Sequence, residues 1–375
     1  MKVKLGEYIQ EYSVRNKANE DIPVYSVTNT QGFCQDYFGK EVASKDKSTY
    51  KIVPRGYFAY NPSRINVGSV DWQRDEDQVI VSPLYNVFSV SPELNQQYLY
   101  YYLKSDFALH RIKAVATGSV RDNLKLEMLK NFPIRIPRVE EQEYIVQVLD
   151  KAKNIINLRR NELQKLDDLI KARFVEMFGE DIKQSNMTIA DIAEETTVGI
   201  ANSATHAYSK SGVVMLRNQN IRVNYLDDRD LIYIKQDFAE KYKNKALHEG
   251  DILVTRTGAN VGMACIVPKK YEGCQTFTTL ILRLRKDISI SPIFVCHYIN
   301  SPLGKSFVDE NKIGGGQPNF GAKQLSIMPI VVPSEEKQIA FDLFVNQVDK
   351  SKATVQKALD ETQLLFDSLM QQYFG

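Results

Sequence analysis

Two short loops in this chain combine an arginine with glycine and small polar residues. The segment YNPSRINVGS contains Arg64, and the segment VTRTGANVGM contains Arg256 followed by Thr257. Glycine lets a backbone approach a ligand closely, and a guanidinium fork can bind a phosphate or the edge of a guanine. The two loops are therefore predicted to contact a nucleotide ligand from equivalent places in two parts of the chain.

Other polar segments extend this candidate set. Amide side chains can pair with adenine and lysines can contact phosphate, so VASKDKSTYK, DWQRDED and MLRNQNIR qualify. The residues that these segments add are Lys45, Lys47, Arg74, Arg217, Asn218, Gln219 and Asn220. A solvated surface position is equally compatible with any single member, so the prediction rests on the set.

Motifs for catalysis are not found in the sequence. A DNA methyltransferase needs a glycine-rich cofactor loop and an amide-proline-aromatic motif, whereas the nearest match here is Asn61-Pro62-Ser63-Arg64. A P-loop needs a lysine followed by serine or threonine, and neither GANVG nor GGGQPN has one. The acidic run Asp75, Glu76 and Asp77 is typical of a solvated turn rather than a metal site. We expect no catalytic centre, metal or cofactor in this chain.

The composition is that of a globular protein with more than one domain. Among 375 residues 43% are hydrophobic and 25% charged, and the formal net charge is only +2, so nucleic-acid binding would depend on local patches. Cys34, Cys265, Cys274 and Cys296 form no C-x-x-C pair and are interpreted as reduced thiols. No stretch approaches the roughly 18 apolar residues of a membrane span. We expect a soluble cytoplasmic protein.

The two parts of the chain are related by an internal repeat. At an offset of 196 residues the landmarks that coincide are Gly118 with Gly314, Asn123 with Asn319, Leu129 with Leu325, Pro133 with Pro329, Pro137 with Pro333, Gln142 with Gln338, and Phe178-Gly179 with Phe374-Gly375. With a two-residue gap, Gly56 and Gly68 also match Gly250 and Gly262. Each copy therefore has a divergent front and a similar back end. The repeated GSVRDN and GGGQPN segments are interpreted as structural turns rather than phosphate loops.

Each back end predicts a long helix. After FPIRIP and MPIVVP, apolar residues recur with the four-three spacing of a coiled coil, and no proline or glycine follows until Gly179 and Gly375. Close to forty residues would extend about 60 Å at 1.5 Å per residue. The residues predicted to pack the two helices together are Ile145, Leu149, Ile156, Leu163, Ile170, Phe341, Val345, Val348, Leu359 and Phe366. Packing through these matching seams requires the helices to run antiparallel.

The predicted fold class is α+β. Two similar α/β domains in tandem are expected at residues 1–137 and 180–333. Each is followed by a helical spacer, at residues 138–179 and 334–375, and the two helices pair as an antiparallel coiled coil with pseudo-two-fold symmetry. Such an arrangement predicts a ruler that separates two reading heads.

The twice-occurring pattern G-x-x-x-x-N, then FPIRIP or MPIVVP, then an E-E-rich helix start and a closing F-G resembles a known family. The chain is similar to the specificity subunit of type I restriction-modification enzymes. The resemblance covers the whole chain in layout. It is strongest over residues 118–179 and 314–375, and weakest over residues 1–50 and 180–245, where members of that family read different sequences.

The resemblance implies more than the residues do. In that family each head is a target-recognition domain that reads one half of a bipartite, gapped site in double-stranded DNA, and the helices fix the gap. Two methyltransferase subunits dock on the rod and heads, and motor-nuclease subunits join for restriction. S-adenosylmethionine and the adenine methylation chemistry are then expected in the partner.

Two other functions stay open from the residues alone. A self-sufficient methyltransferase with a fused target domain would need to bind the methyl donor by itself. A coiled-coil adaptor with two protein-binding heads would show no salt-dependent, sequence-selective retention on DNA.

Overall fold

The computed structural model describes residues 2–35, 46–116, 123–201, 204–314, 316 and 318–375. The chain folds as two compact units, Met1–Arg160 with Gln356–Gly375, and Asn161–Val355. We call these unit 1 and unit 2. The part of unit 1 that precedes the first long helix is head 1, and the part of unit 2 between the two long helices is head 2.

Head 1 combines short strands with three short helices. Its strands are β1 (Lys2–Lys4), β2 (Ile9–Glu11), β3 (Ser26–Thr28), β4 (Gly32–Cys34), β5 (Lys51–Pro54), β6 (Phe58–Tyr60), β7 (Val70–Trp72), β8 (Gln78–Val81), β9 (Asn86–Val90) and β10 (Pro133–Arg135). Its helices are α1 (Gln96–Lys104), α2 (Asp106–Val115) and α3 (Leu126–Lys130). The first long helix, α4 (Val139–Lys183), follows.

Head 2 repeats this order with more strands at its front. Its strands are β11 (Met187–Thr188), β12 (Ala193–Val198), β13 (Tyr208–Ser209), β14 (Val213–Arg217), β15 (Ile221–Arg222), β16 (Tyr225–Leu226), β17 (Ile232–Ile234), β18 (Ile252–Val254), β19 (Ala264–Ile266), β20 (Gln275–Phe277), β21 (Leu280–Leu284) and β22 (Pro329–Ile330). Its helices are α5 (Ile189–Ile192), α6 (Gln236–Lys241), α7 (Pro292–Asn300), α8 (Pro302–Asn311) and α9 (Ala322–Ser326). The second long helix is α10 (Glu335–Phe374).

The same four-stranded antiparallel sheet lies at the centre of both heads. Its order is β2-β9-β6-β7 in head 1 and β12-β21-β18-β19 in head 2. In β18 Ile252, Leu253 and Val254 are all fully buried, because alternate residues face two different core clusters. A short strand at the start of each head, β1 or β11, pairs with the strand just before the long helix. This pairing closes each head into a compact domain.

The outer layer differs between the heads. In head 1 β5 pairs with β8 in an antiparallel ladder, whereas in head 2 β14 pairs with β20 in a parallel one and with β17 in an antiparallel one. The divergent front segments of the two repeats build these layers. The predicted fold class, two similar α/β domains each followed by a long helix, is therefore confirmed, and the heads share a centre but not an outer layer.

The long helices begin where the sequence predicts, at Val139 and Glu335. The first does not stop at Gly179 but continues to Lys183, because Phe178 and Ile182 on its last turns are buried in the core of head 2. In unit 2 the two helices run antiparallel, since Asp181 pairs with Lys337 and Asp167 with Lys352.

The predicted seam residues lie at different depths. Most are buried, at 9% exposure or less, and the two that are only half-buried are Leu163 and Phe366. In unit 1 Ile145 and Leu149 share a core cluster with Phe366, which lies edge-on to the ring of Tyr101 at 6.2 Å. Aromatic residues from the heads therefore pack against the helices within each unit.

A buried glutamine joins each long helix to its head. Gln142 Oε1 accepts a bond from Asn95 N at 2.8 Å, and its Nε2 donates to Glu93 O and Pro137 O at 2.9 and 2.8 Å. In unit 2 the side chain of Gln338 makes the matching three bonds, to Ser291 N, Ser289 O and Pro333 O. The repeated glutamine of the sequence is thus a structural clamp that we call the glutamine clamp.

Candidate nucleic-acid interface

The two arginine loops lie on the same backbone frame. Each loop connects the two neighbouring strands at one edge of its central sheet, β6 to β7 in head 1 and β18 to β19 in head 2. Asn61 N donates to Ser69 O at 3.3 Å in the first loop, and Thr255 N donates to Met263 O at 2.9 Å in the second. These bonds fall at the gapped offset that aligns the repeated glycines. The loops are therefore structurally equivalent.

The arginines within these loops are not equivalent. Leu124 N donates to Pro62 O at 3.1 Å, and the corresponding bond in head 2 runs from Phe320 N to Arg256 O at 2.8 Å. Arg256 thus corresponds to Pro62, and Arg64 corresponds to Gly258, two residues further along. The sequence predicted the two loops, each with one arginine, at equivalent places in the heads; within these loops the two arginines differ in position by two residues. The two-residue gap in the sequence was the signal for this shift.

In head 1 the loop forms one wall of a polar cleft. Arg64 is exposed, and its backbone carbonyl accepts bonds from Val67 N and Ser69 N, both at 3.1 Å. Gly68 closes this turn at a φ of +88°, a conformation that favours glycine. The cleft, which we call cleft 1, is lined by Ser26, Val27, Thr28, Asn29, Asn61, Arg64, Ser69 and Tyr85. A rigid loop therefore presents the Arg64 side chain beside amide and hydroxyl groups.

The second wall of cleft 1 is the end of β3 and the turn that follows it. Thr28 Oγ1 accepts from Gln31 N at 3.0 Å, which fixes the turn, while Asn29 is exposed. Val24, just before β3, forms a parallel bridge with Ile80 of β8. In head 2 β14 lies parallel to β20 in the same way. The ends of β3 and β14 therefore occupy corresponding positions, each next to the arginine loop.

In head 2 the end of β14 carries the predicted run Arg217, Asn218, Gln219 and Asn220. Asn218 Nδ2 donates to Thr257 Oγ1 at 3.2 Å, which joins this run to the arginine loop. Gln219 is exposed. The buried atoms Arg217 Nε and Asn218 Oδ1 have no hydrogen-bond partner among the residues that the structure describes. Buried polar groups are nearly always paired, so these two atoms are exceptions within the described part of the chain.

Asn220 plays a different part. It is 1% exposed, its Oδ1 accepts from Arg217 N at 3.0 Å, and its Nδ2 donates to Asp227 O and Arg229 O. Because protein groups occupy its amide on both sides, Asn220 has no group left for a base. The prediction that it contacts DNA is corrected here, and its role is to hold the loop behind Arg217.

Arg256 is held by a residue from the repeated turn. Its Nε donates to Asn319 Oδ1 at 3.0 Å, and Asn319 also forms a backbone bridge with Thr257. This bond fixes the guanidinium and leaves its two terminal nitrogens for a second acceptor. Asn218, Thr257, Asn319 and Arg256 are thus joined to one another, and Arg217 precedes Asn218 with its Nη2 donating to Asp230 O at 2.6 Å. We call these five residues cluster 2. Asn319 was interpreted from the sequence as part of a structural turn.

Arg74 and Lys47 lie outside these two sites. Arg74 makes two bonds to the buried carboxylate of Asp71, at 2.9 and 3.2 Å, and its guanidinium lies 4.4 Å from the centre of the Trp72 ring. Lys47 pairs with Asp21 at 3.2 Å. Each cation has a carboxylate partner, and neither is among the residues that line cleft 1. Lys45 and most of the first repeated turn, GSVRD, lie outside the described residues.

Sequence reasoning missed several residues of these sites. Asn29, Asn61 and Tyr85 line cleft 1, and no motif in the sequence distinguishes them from ordinary loop residues. They come together only because strands far apart in the chain pair, as Val24 does with Ile80. Asn319 could have been identified from the sequence, because the internal repeat matches it with Asn123. In head 1 Asn123 likewise contacts the arginine loop, since its Oδ1 accepts a bond from Ser63 Oγ at 2.6 Å.

The described residues contain no group of three or more histidine, cysteine or carboxylate side chains that could hold a metal ion. The four cysteines are unpaired, and burial raises the pKa of the Cys265 and Cys296 thiols, which disfavours the reactive thiolate. Within the same described ranges, no helix combines the length and the apolar character needed to cross a membrane.

Comparison with known proteins places the chain in a family. The family described as "Type I restriction modification DNA specificity domain" matches residues 2–168 and 183–362, once in each unit's head and onward into the helices. Two matches in tandem agree with the internal repeat.

Individual relatives are distant in sequence. The chain is 19% identical over 292 residues to the type I restriction enzyme EcoKI specificity subunit of Escherichia coli (strain K12), covering 73% of this chain and 63% of that protein. It is 22% identical over 289 residues to the MjaVIII specificity subunit of Methanocaldococcus jannaschii, covering 71% and 68%. The matched region thus spans less than two thirds of the EcoKI subunit.

Solved structures share the fold. A chain described with the complex assembly and conformational transition of the type I R-M system superposes with a TM-score of 0.61 at 18% identity, covering 100% of this chain and 97% of that one. The S subunit of a type I restriction-modification system from M. genitalium gives 0.54 at 14% identity, covering 100% and 96%. From the family match over both halves, this chain belongs to the type I restriction-modification DNA specificity family.

Proposed function

We propose that this chain reads a bipartite, gapped site in double-stranded DNA, one half with cleft 1 and the other with cluster 2. The observation that supports this most is that both sites lie at the same place on a repeated sheet, where a strand end meets an arginine loop. Their side chains differ, so the two half-sites are expected to differ in sequence. Arginine and amide groups can contact base edges in the major groove.

The proposal includes partners that supply the chemistry. Two methyltransferase subunits are expected to dock on this chain, with S-adenosylmethionine bound by those subunits, and motor-nuclease subunits are expected to join for restriction. The complex is expected in the cytoplasm. In this arrangement the chain acts by recognition and positioning, and has no catalytic role.

The first test is selection and sequencing of random duplex DNA by the chain co-purified with its methyltransferase subunit. We expect a motif of two fixed parts separated by a gap of fixed length. No enrichment by an intact complex would refute the proposal and favour a protein-binding adaptor. Equilibrium dialysis of this chain alone with the methyl donor addresses the remaining alternative, because binding there would indicate a self-sufficient methyltransferase.

Paired substitutions then assign the half-sites. Arg64→Ala should weaken discrimination in one half-site, and Arg256→Ala in the other, each by about 1–3 kcal/mol if the guanidinium reads a base. Each variant is the control for the other, since both remove one arginine from an equivalent loop. A uniform loss on unrelated duplexes, with a smaller salt slope, would instead show that the arginine contacts phosphate.

A further inference from the structure

Behind cleft 1 lies a lysine that no part of the proposed recognition uses. Lys104 ends α1, and its ammonium donates to Gly68 O, at the end of the Arg64 loop, and to Asn29 O at 3.3 Å, in the turn after β3. These two carbonyls belong to the two opposite walls of cleft 1. One side chain therefore links both walls from behind.

The surroundings of Lys104 are strongly charged. The aromatic ring of Tyr100 has Lys104, Lys153 of α4 and Arg74 within 5.2 to 5.5 Å of its centre. The carboxylate of Asp71, which Arg74 binds, faces the same group. Three cations around one ring are stabilised by the ring face and by a buried carboxylate. The position of the Lys104 ammonium is therefore fixed by several groups and not by its two carbonyl partners alone.

Head 2 builds the corresponding position without a charge. The residue that matches Lys104 in the repeat is Asn300, at the end of α7. Asn300 is 3% exposed, and its Nδ2 donates to Asn224 Oδ1 at 2.7 Å and Ala264 O at 2.8 Å. It likewise ties a front-segment turn to the strand that follows the arginine loop, but through a neutral amide. The two heads therefore use different chemistry for the same connection.

We infer that Lys104 is a positioning residue that sets the distance between the two walls of cleft 1 and thereby the recognition of one half-site only. This inference rests on the proposed function, because it concerns how head 1 reads DNA. Its ammonium holds both walls through charge-assisted hydrogen bonds, which are about twice as strong as neutral ones. Without it the Arg64 loop and the Asn29 turn lose this direct connection and keep, among the described residues, only the bond from Phe33 N to Asp71 Oδ2 at 3.3 Å further along both strands, while head 2 keeps its own connection.

The connection in head 1 should also depend on pH. Burial, together with Lys153 and Arg74, lowers the pKa of Lys104 to about 8, against the opposite effect of Asp71. Above that pH the bonds from Lys104 to the two walls are no longer charge-assisted. The matching Asn300 does not titrate. Discrimination in the half-site read by head 1 should therefore weaken between pH 7 and pH 9.5, relative to the half-site read by head 2.

The experiment measures binding by the chain in complex with its methyltransferase subunit. The probes are duplexes that carry the selected motif intact, with half-site 1 scrambled, or with half-site 2 scrambled. For the unchanged protein we expect half-site 1 discrimination to fall by about threefold from pH 7 to pH 9.5 relative to half-site 2. Lys104→Met should lower half-site 1 discrimination by about tenfold at pH 7 and remove its pH dependence. Lys104→Arg should restore most of the half-site 1 discrimination.

Lys153→Met is the matched control, since Lys153 faces the same Tyr100 ring and no bond from it to either wall is found among the described residues. Equal behaviour of the two methionine variants, or parallel pH profiles in both half-sites, would overturn the inference. If Lys104→Met binds neither half-site, it is replaced in the comparison by Lys104→Gln, which keeps a neutral donor as in head 2. The pH profile of the unchanged protein then remains the second measurement. Failure of the selection to find a two-part motif refutes the proposed function itself; a motif that Lys104 variants still read normally refutes only this inference.

Discussion

Replacing the clamp glutamines should loosen one unit at a time. Gln142→Ala removes three hydrogen bonds of 2.8 to 2.9 Å, two to the segment before α1 and one to Pro137 O just before α4. A net contribution of about 1 kcal/mol per bond gives about 3 kcal/mol, before any cost of leaving the buried partners unpaired. Gln338→Ala removes the equivalent bonds in unit 2, so the same loss is expected there.

Because the protein has two units, a single unfolding curve would mix their contributions. Amide hydrogen exchange resolved by segment separates them. Gln142→Ala should speed exchange in residues 93–104 by about 100-fold where exchange follows unfolding of unit 1, and should leave residues 289–300 unchanged. Gln338→Ala should give the reverse pattern.

Each clamp has a matched control on its own helix. Gln147 and Gln347 are exposed glutamines on α4 and α10, and their replacement by alanine should change stability by less than about 0.5 kcal/mol. If Gln142→Ala and Gln338→Ala behave like these controls, the bonds of the clamp contribute little. If either clamp variant speeds exchange equally in both segments, the two units do not unfold independently and our division of the energy is wrong.

Two further predictions concern a histidine of α7 that packs against Phe341 of α10, and the length of the long helices. His297 is 8% exposed, and burial together with nearby Lys352 lowers its pKa to about 4, against the opposite effect of Asp167. The unfolded state therefore binds a proton on this histidine at a higher pH than the folded state does. Unit 2 should keep its full stability above about pH 6.5 and lose on the order of 3 kcal/mol as pH falls towards 4. Urea titrations across this pH range should show a smaller loss for His297→Phe, and an equal dependence of the unfolding free energy on pH in both proteins would contradict this assignment. Matched four-residue insertions after Arg160 and Val355, about one helical turn in each helix, should lengthen the gap of the selected motif without altering either half-sequence; altered half-sequences would show that the helices do not act as a ruler.

The sequence predicts the repeated parts of this fold well because they depend on local patterns. The proline-bounded starts of the long helices and their apolar spacing are readable from neighbouring residues, and the structure begins the helices at Val139 and Glu335. The end of α4 was predicted four residues too early. A glycine after Phe178 is compatible with a helix end, but burial of Ile182 in the core of head 2 outweighs the helix propensity of one glycine.

The candidate sites were harder to predict because they depend on contacts between distant segments. Arg64 and Arg256 were found from the composition of their loops, and the backbone bonds of Pro62 and Arg256 show that the two arginines are offset by two residues within those loops. Asn220 has the right chemistry for a base contact, and only its burial removes it. Lys104 resembles any helix-terminal lysine in the sequence. Its bonds to both walls of cleft 1 arise from tertiary packing.

Under the proposed function, the division between repeated bonds and differing side chains would let one architecture hold two different DNA-reading heads. The repeated bonds described above come from backbone groups or from the identical clamp glutamines, and identical serines, Ser105 and Ser301, also cap α2 and α8. These bonds leave the side chains at neighbouring positions free to differ. Positions that differ lie next to these bonds, as Pro62 does against Arg256, Lys104 against Asn300, and Tyr101 against His297. At these positions a change of side chain alters charge and hydrogen bonding beside the repeated bonds while those bonds stay in place. Recognition can therefore diverge in each head at little cost to its fold, and the two halves of a target need not resemble each other.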